Sequence, residues 1–271
     1  MQPRRIILGV LVLAMGVLTG APASAIVVTS FGPFGEAGSS LGRDLSIGSG
    51  GDVFELDSFV SFGGLGLRLS TDPLPAGLDF LFGYGLSDGD TDLTLAYTFT
   101  NNTGAILDDV RFISYLDAEI DEPLNTFFNE YGEALGFPGT GPGDPDPDSW
   151  EIDEPGFSPV PGDIYDHAFD GELDGSAALP GGGLDDVAMA LGFFLGPLDP
   201  GGSVSIRVLL SEDMDRLGSL ALLHKDADST NQVITMSGRV APTAVPEPGT
   251  LGLLGLAAAL ALAGRKRLRA G

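Results

Sequence analysis

Cysteine is absent from the 271 residues. No disulfide can brace the fold, and thiol nucleophiles and thiolate metal centres are excluded. Histidine occurs only twice, as His167 and His224. A histidine-rich metal site is therefore ruled out, and a catalytic triad would have to use one of these two. Positive charge is scarce. Of 13 Lys and Arg, Arg4 and Arg5 lie near the start and four lie in the last seven residues. Seven are left for residues 26–245, against 37 of the 38 acids, so this stretch carries a formal charge of −30. Such a body repels phosphate backbones and anionic membrane surfaces, which excludes nucleic acid as a partner. It suits a solvated extracellular protein, a cation binder, or both. No tandem repeat is visible.

Long apolar runs occur only at the two ends. Arg4-Arg5, the apolar run 6–18 and Ala23-Ser24-Ala25 form a secretory signal peptide over residues 1–25. The small residues Ala23 and Ala25 place cleavage by signal peptidase after Ala25. At the other end, Val245-Pro246-Glu247-Pro248-Gly249-Thr250 leads into an uncharged segment, 249–264, and then Arg265-Lys266-Arg267-Leu268-Arg269. Pro246 and Pro248 stiffen the chain and hold Glu247 out in an extended conformation. The segment 249–264 has 16 residues, or roughly 24 Å as a helix. That is short for a permanent span of a core about 30 Å thick, but adequate for a temporary tether. The basic stop Arg265, Lys266, Arg267 and Arg269 favours the cytoplasmic side, as does the basic start. The body between them is then expected beyond the inner membrane.

Pro246-Glu247-Pro248, the apolar run and the arginine-rich end together resemble the PEP-CTERM sorting signal of Gram-negative bacteria. The resemblance covers residues 245–269 and says nothing of the body. It implies processing of the tail by an exosortase during export, and a setting beside exopolysaccharide and biofilm machinery. It also implies that the precursor is anchored in the inner membrane by the apolar helix and then released to the cell surface or beyond. The competing reading is a simply anchored periplasmic protein that keeps its tail.

Period-two alternation dominates residues 26–240 and marks half-buried strands. Leu78, Phe80, Phe82, Tyr84 and Leu86 fall on one face. Leu93, Leu95, Tyr97 and Phe99 repeat the pattern, as do Val187 to Leu195 and Val204 to Leu210. Weaker candidates are 26–31, 43–47, 53–62, 65–70, 106–116, 219–224 and 232–240. Ten or eleven short strands predict an all-β antiparallel sandwich forming one domain. Its turn chemistry loosely resembles that of bacterial extracellular immunoglobulin-like modules. Asn101-Asn102-Thr103-Gly104 is expected to join 92–100 to 106–116 as a hairpin. Asp199-Pro200-Gly201-Gly202 is expected to turn 187–195 into 203–211, and 226–231 to close a last hairpin. Leu124, Phe127, Phe128, Tyr131 and Leu135 recur at helical spacing, predicting one short helix over 122–135. A further helical turn is expected over 212–218. Residues 136–162, rich in Pro, Gly and acids, predict a long exposed loop pinned by Trp150, Ile152 and Phe157. Residues 241–245 read as a linker.

Three acidic stretches have the alternate carboxylates of a calcium loop: Asp88-Asp90-Asp92, Asp144-Asp146-Asp148 and Asp117-Glu119-Asp121; Gly181-Gly182-Gly183-Leu184-Asp185 resembles a glycine-rich calcium repeat, but occurs once where such repeats need stacking. None satisfies the EF-hand requirement for Gly at the sixth position and an acid at the twelfth. Solvated acidic loops and a bound calcium remain the two readings. Gly38-Ser39-Ser40-Leu41-Gly42 fits a hydrolase elbow pattern but lacks the strand before and helix after that the motif needs. His167, flanked by Asp163, Asp166 and Asp170, reads as a solvated loop histidine. No metal ligand and no catalytic residue is therefore assigned. The sequence reads as an exported, non-enzymatic surface or matrix protein without a cofactor. The alternative is a carbohydrate-binding or carbohydrate-cleaving secreted module, stabilised by calcium. A surface row among Tyr84, Tyr97, Tyr115, Tyr131, Tyr165 and Trp150 would favour sugar binding, and burial would favour a plain scaffold.

Overall fold

Strands form wherever the chain alternates, because period-two apolar residues can face a core only in extended backbone. A computed structural model describes residues 27–28, 45–47, 51–87, 91–120, 126–155, 162–178, 183–228 and 233–241. The expected signal peptide, with Ala23 and Ala25, lies outside the described residues. So do the Gly38-to-Gly42 motif, Asp88, Asp90, Asp121, Phe157, Gly181, Gly182, and the tail with Pro246, Glu247, Pro248, its expected apolar helix and the basic stop.

Among the described residues there are fourteen strands and one α-helix. The strands are β1 Val27–Val28, β2 Leu45–Ile47, β3 Gly51–Phe62, β4 Leu65–Arg68, β5 Leu78–Ser87, β6 Asp92–Asn101 and β7 Leu107–Glu119. They continue with β8 Glu130–Gly136, β9 Ser149–Asp153, β10 Ala177–Ala178, β11 Ala188–Leu198, β12 Ser203–Ser211, β13 Leu220–Asp226 and β14 Val233–Ala241. The helix, α1, spans Ile164–Asp170. Two sheets result. One runs β1-β2-β3-β7-β11-β9-β10 with β4 also on β3, and the other runs β5-β6-β12-β14-β13-β8. All pairings are antiparallel except that of β9 with the two-residue β10. Each of the eleven ranges read from alternation contains a strand.

Between the sheets lies the main core. Leu56, Val60, Phe112, Leu116, Met189, Leu191 and Phe193 come from the first sheet, and Leu93, Leu95, Tyr97, Phe99, Ile206, Val208, Leu222 and Met236 from the second. Phe112 sits at its centre, 4.7 Å from Tyr97 and 5.8 Å from Phe99 between ring centroids. Each such ring, withdrawn from water, contributes about 1.5–3 kcal/mol.

Five expectations are corrected. The helix expected over 122–135 does not form among the described residues of that range: a 3-10 turn, Phe127–Asn129, leads directly into β8. Backbone pairing with β13 overrides the helical spacing. Gly132 allows it, since a Cβ there would collide with the Ile152 side chain of the facing sheet. The 92–100/106–116 hairpin is also absent, because β6 and β7 belong to different sheets. The 199–202 turn forms as expected, with Gly202 N donating to Asp199 O at 2.8 Å, and it leads from β11 into β12 of the other sheet. Polar turn residues signal a reversal but not whether the next strand pairs with the last. The loop 136–162 contains β9, whose Trp150 and Ile152 face the core while Glu151 and Asp153 face away. Residues 212–218 form no helix. His167 lies on α1 rather than in a solvated loop. The last hairpin, β13 with β14, forms as expected. No described helix is long and apolar enough to cross a membrane.

The Asp144-Asp146-Asp148 run serves the backbone and does not converge on an ion. Asp144 accepts from Thr140 N at 3.0 Å and Asp146 N at 3.1 Å. Asp146 accepts from Ser219 N at 3.1 Å, and Asp148 from Phe194 N at 2.8 Å. The acids stitch the Pro/Gly segment onto both sheets.

Candidate functional site

The unusual chemistry lies on the outer face of the eight-stranded sheet. Register places residues there in rows. Glu55, Asp117, Ala188 and Asp153 form one row, and Asp57, Tyr115, Ala190 and Glu151 the next. Outward positions on a strand normally meet water and favour polar side chains. Here α1 covers them. Asp163 caps the helix by accepting Asp166 N at 2.8 Å, and Gly171 ends it at φ 80°. Ile164, Tyr165 and Ala168 pack down on Phe59, Ile113, Tyr115, Ala188 and Ala190 as a second, smaller core. Gly66 permits the close approach, because any Cβ there would strike the Phe169 carbonyl.

Covering this face buries carboxylates, and most are answered by a partner. Arg68 pairs with both Asp57 and Glu55, with its guanidinium 5.3 Å from the Tyr165 ring centroid. Ser70 also donates to Asp57, and Tyr165 Oη donates to Glu55 at 3.2 Å. Burial pushes both acids up, and Arg68 opposes it. Glu151, also buried, meets His167 Nδ1 at 2.9 Å and accepts from Asp174 N at 3.3 Å. Burial acts against the charged imidazole, but the Glu151 hydrogen bond and charge, with Asp174 and Asp166, hold His167 above its ordinary value. Where the sheets meet beyond Ile120, His224 Nε2 lies 2.7 Å from Glu130 Oε2, both fully buried.

Asp117 is different. It is 1% exposed, its Oδ1 has no hydrogen-bond partner among the described residues, and no described cation pairs with it. Its neighbours are acids: carboxylate oxygens of Asp117, Glu119 and Asp186 lie within 4.8 Å of one another. Burial, then Asp186 and Glu119, pushes Asp117 up to about 9. Asp186 is pushed to about 6 by burial and Glu130, against His224. Asp117 and Glu119 belong to an acidic stretch already singled out in the sequence. Asp186 directly follows the flagged Gly-Gly-Gly-Leu-Asp segment, and only the fold joins the two.

Two other carboxylate groups can be weighed against it. Glu151, His167 and Asp174 also cluster, but the Glu151 oxygens are already engaged. Asp92, Asp213 and Asp215 cluster where Asp213 and Asp215 are exposed. Asp213 already accepts from Ser211 and Thr91 at 2.7 and 3.1 Å.

The aromatic rings do not form a surface row. Tyr97, Tyr115 and Tyr165 are buried, Trp150 and Tyr131 are half-buried, and Tyr84 is exposed on edge strand β5. A groove of about 900 Å³ elsewhere is lined by Pro145, Phe194, Val204, Arg207 and Arg239, among others. Arg207 and Arg239 stand directly opposite each other on β12 and β14.

Residues 244–267 match the family model of the PEP-CTERM protein-sorting motif. No curated protein matches the chain. A motif of this kind marks an exported protein sorted by its C-terminal end. The precursor is membrane-anchored until an exosortase processes it.

Proposed function

The chain carries a PEP-CTERM protein-sorting motif, and from that premise we propose that its body is a non-enzymatic β-sandwich delivered to the cell surface or extracellular matrix. There it works as a structural component beside exopolysaccharide. Signal peptidase removes residues 1–25 after Ala25, and exosortase acts on the tail at Pro246-Glu247-Pro248. The observation that carries the reading is the pairing of this motif with a body whose ionisable groups are turned to structural work. Glu55 and Asp57 are occupied by Arg68, Glu151 by His167, and Glu130 by His224. Both histidines are thus tied to buried acids and not to an exposed nucleophile. Burial of Tyr97, Tyr115 and Tyr165 supports a scaffold over a sugar-stacking platform.

One observation favours the second reading, a carbohydrate-binding module. The opposed Arg207 and Arg239, beside Phe194, line a groove in a body that is otherwise strongly acidic. Guanidinium groups suit the carboxylates of acidic polysaccharides. Affinity electrophoresis against acidic and neutral polysaccharides, with a glycosidase panel, separates the readings. Silence in both assays fits the scaffold. Retardation by acidic polymers alone, lost in Arg207→Ala/Arg239→Ala, fits the module. Turnover of any glycoside would overturn the non-enzymatic reading.

A further inference from the structure

We propose that Asp117, Glu119 and Asp186 hold one divalent cation of the calcium class against the outer face of the eight-stranded sheet. Three carboxylates offer up to six oxygens, and calcium takes six to eight at flexible geometry. Their oxygens already lie within 4.8 Å of one another, without nitrogen or sulfur donors. Such a set suits a hard cation and not zinc or copper.

The acids alone would not distinguish a site from a solvated patch. Two buried polar atoms do. Asp117 Oδ1 is buried with no donor facing it. Tyr115 stands two residues along the same strand and on the same face, fully buried, and its hydroxyl also lacks a partner. That hydroxyl sits in the combined field of Asp117, Glu55 and Asp186. Buried polar atoms are nearly always satisfied, so two orphans around one carboxylate group indicate a missing ligand. A cation supplies Asp117 with the counter-charge that Arg68 and His167 supply to the neighbouring acids. Directly across from Asp117 and Tyr115, β11 presents only Ala188 and Ala190. Their small side chains leave the carboxylate without a competing group from that strand. The ion would also tie the end of β7 to the segment entering β11, at the point where Glu130 and Asp185 form an isolated bridge.

The inference does not depend on the fate of the tail. It is tested on the exported protein purified from the producing cells and stripped with a chelator. Titration calorimetry with calcium chloride is expected to show about one equivalent bound, and the thermal midpoint to rise with calcium over chelator. Magnesium is expected to bind more weakly, because it demands a tighter octahedron and gives up water reluctantly. Asp186→Asn should weaken calcium binding at least tenfold. Asp117→Asn should melt higher than wild type in chelator and lose the calcium response. That variant relieves the buried repulsion, so its loss of response cannot be ascribed to unfolding. Asp213→Asn/Asp215→Asn, in the exposed acidic group, should leave both readouts unchanged. Equal wild-type midpoints with and without calcium, together with no heat of binding, would overturn the proposal. So would calcium binding that survives both Asp117→Asn and Asp186→Asn.

Discussion

Asn101, at the end of β6, donates through Nδ2 to the carbonyl of Leu198, at the end of β11, 2.7 Å away and 97 positions along the chain. The same amide group donates to Ala105 O at 2.7 Å, and its Oδ1 accepts from Thr103 N and Oγ1. Its backbone pairs with Gly201 and Gly202. One fully buried side chain thus clamps two of the turns that carry the chain between the sheets, β6 to β7 and β11 to β12. Asn101→Ala strands the Leu198 carbonyl, takes one of two donors from Ala105 O and the acceptor from Thr103 N, and is expected to cost about 3 kcal/mol. That lowers the thermal midpoint by roughly 6–12 °C. Thr103→Val, which removes only the hydroxyl, should cost about 1 kcal/mol. Calorimetry of the two variants checks the ranking, and an unchanged midpoint for Asn101→Ala would contradict the clamp.

Arg68 is the counter-charge for two buried acids. Arg68→Met leaves Asp57, which is fully buried, and Glu55 without it and is expected to cost about 3–5 kcal/mol. The loss should come from the stranded acids and not from missing packing. Adding Glu55→Gln and Asp57→Asn to the same chain is therefore expected to recover most of it. Denaturant melts of the single and triple variants read this directly. A triple variant as unstable as Arg68→Met would refute the assignment.

The pair His167 and Glu151 predicts a pH dependence. The folded state holds His167 above its ordinary value, with Glu151 on β9, Asp174 beyond α1 and Asp166 on the helix itself as the facing acids. A raised folded value means that folding favours the protonated ring. The pair's contribution is then full below the unfolded imidazole value of about 6.5 and fades as pH rises through the folded value. Glu151 is also raised, by burial against the His167 hydrogen bond, so it adds a trend of the same sign. His167→Gln should lower the midpoint most at mildly acid pH and least at alkaline pH. Melts of both proteins from pH 5 to 9 in chelator would show the gap closing. A gap that widens with pH would reverse the sign and refute the pairing.

Alternation made eleven strands legible in advance, because residues such as Leu93, Leu95, Tyr97 and Phe99 can share a core only in extended backbone. The tail was legible because its three features are contiguous in the chain. Other features depend on what the chain meets elsewhere. Helical spacing of Phe127, Phe128, Tyr131 and Leu135 is real, yet β13 offers that segment a full ladder and wins. Ser149 to Asp153 reads as part of a polar loop because it follows a Pro/Gly-rich run and two of its five residues are acids. Those acids face a helix-covered surface that no local pattern reveals. Asp117 and Glu119 stood out by spacing, whereas Asp186 joins them only because the start of β11 lies beside the end of β7. Asn101 reads in the sequence as a turn residue; it ends β6, and nothing local signals the sheet crossing it clamps.

The account rests on the C-terminal end being a removable sorting signal. Intact-mass measurement of the protein recovered outside the cells tests it most directly. The expected mass lacks residues 1–25 and the apolar and basic tail 249–271. A released protein that still carries Arg265, Lys266, Arg267 and Arg269 would contradict processing at this end and leave a simply anchored protein in its place.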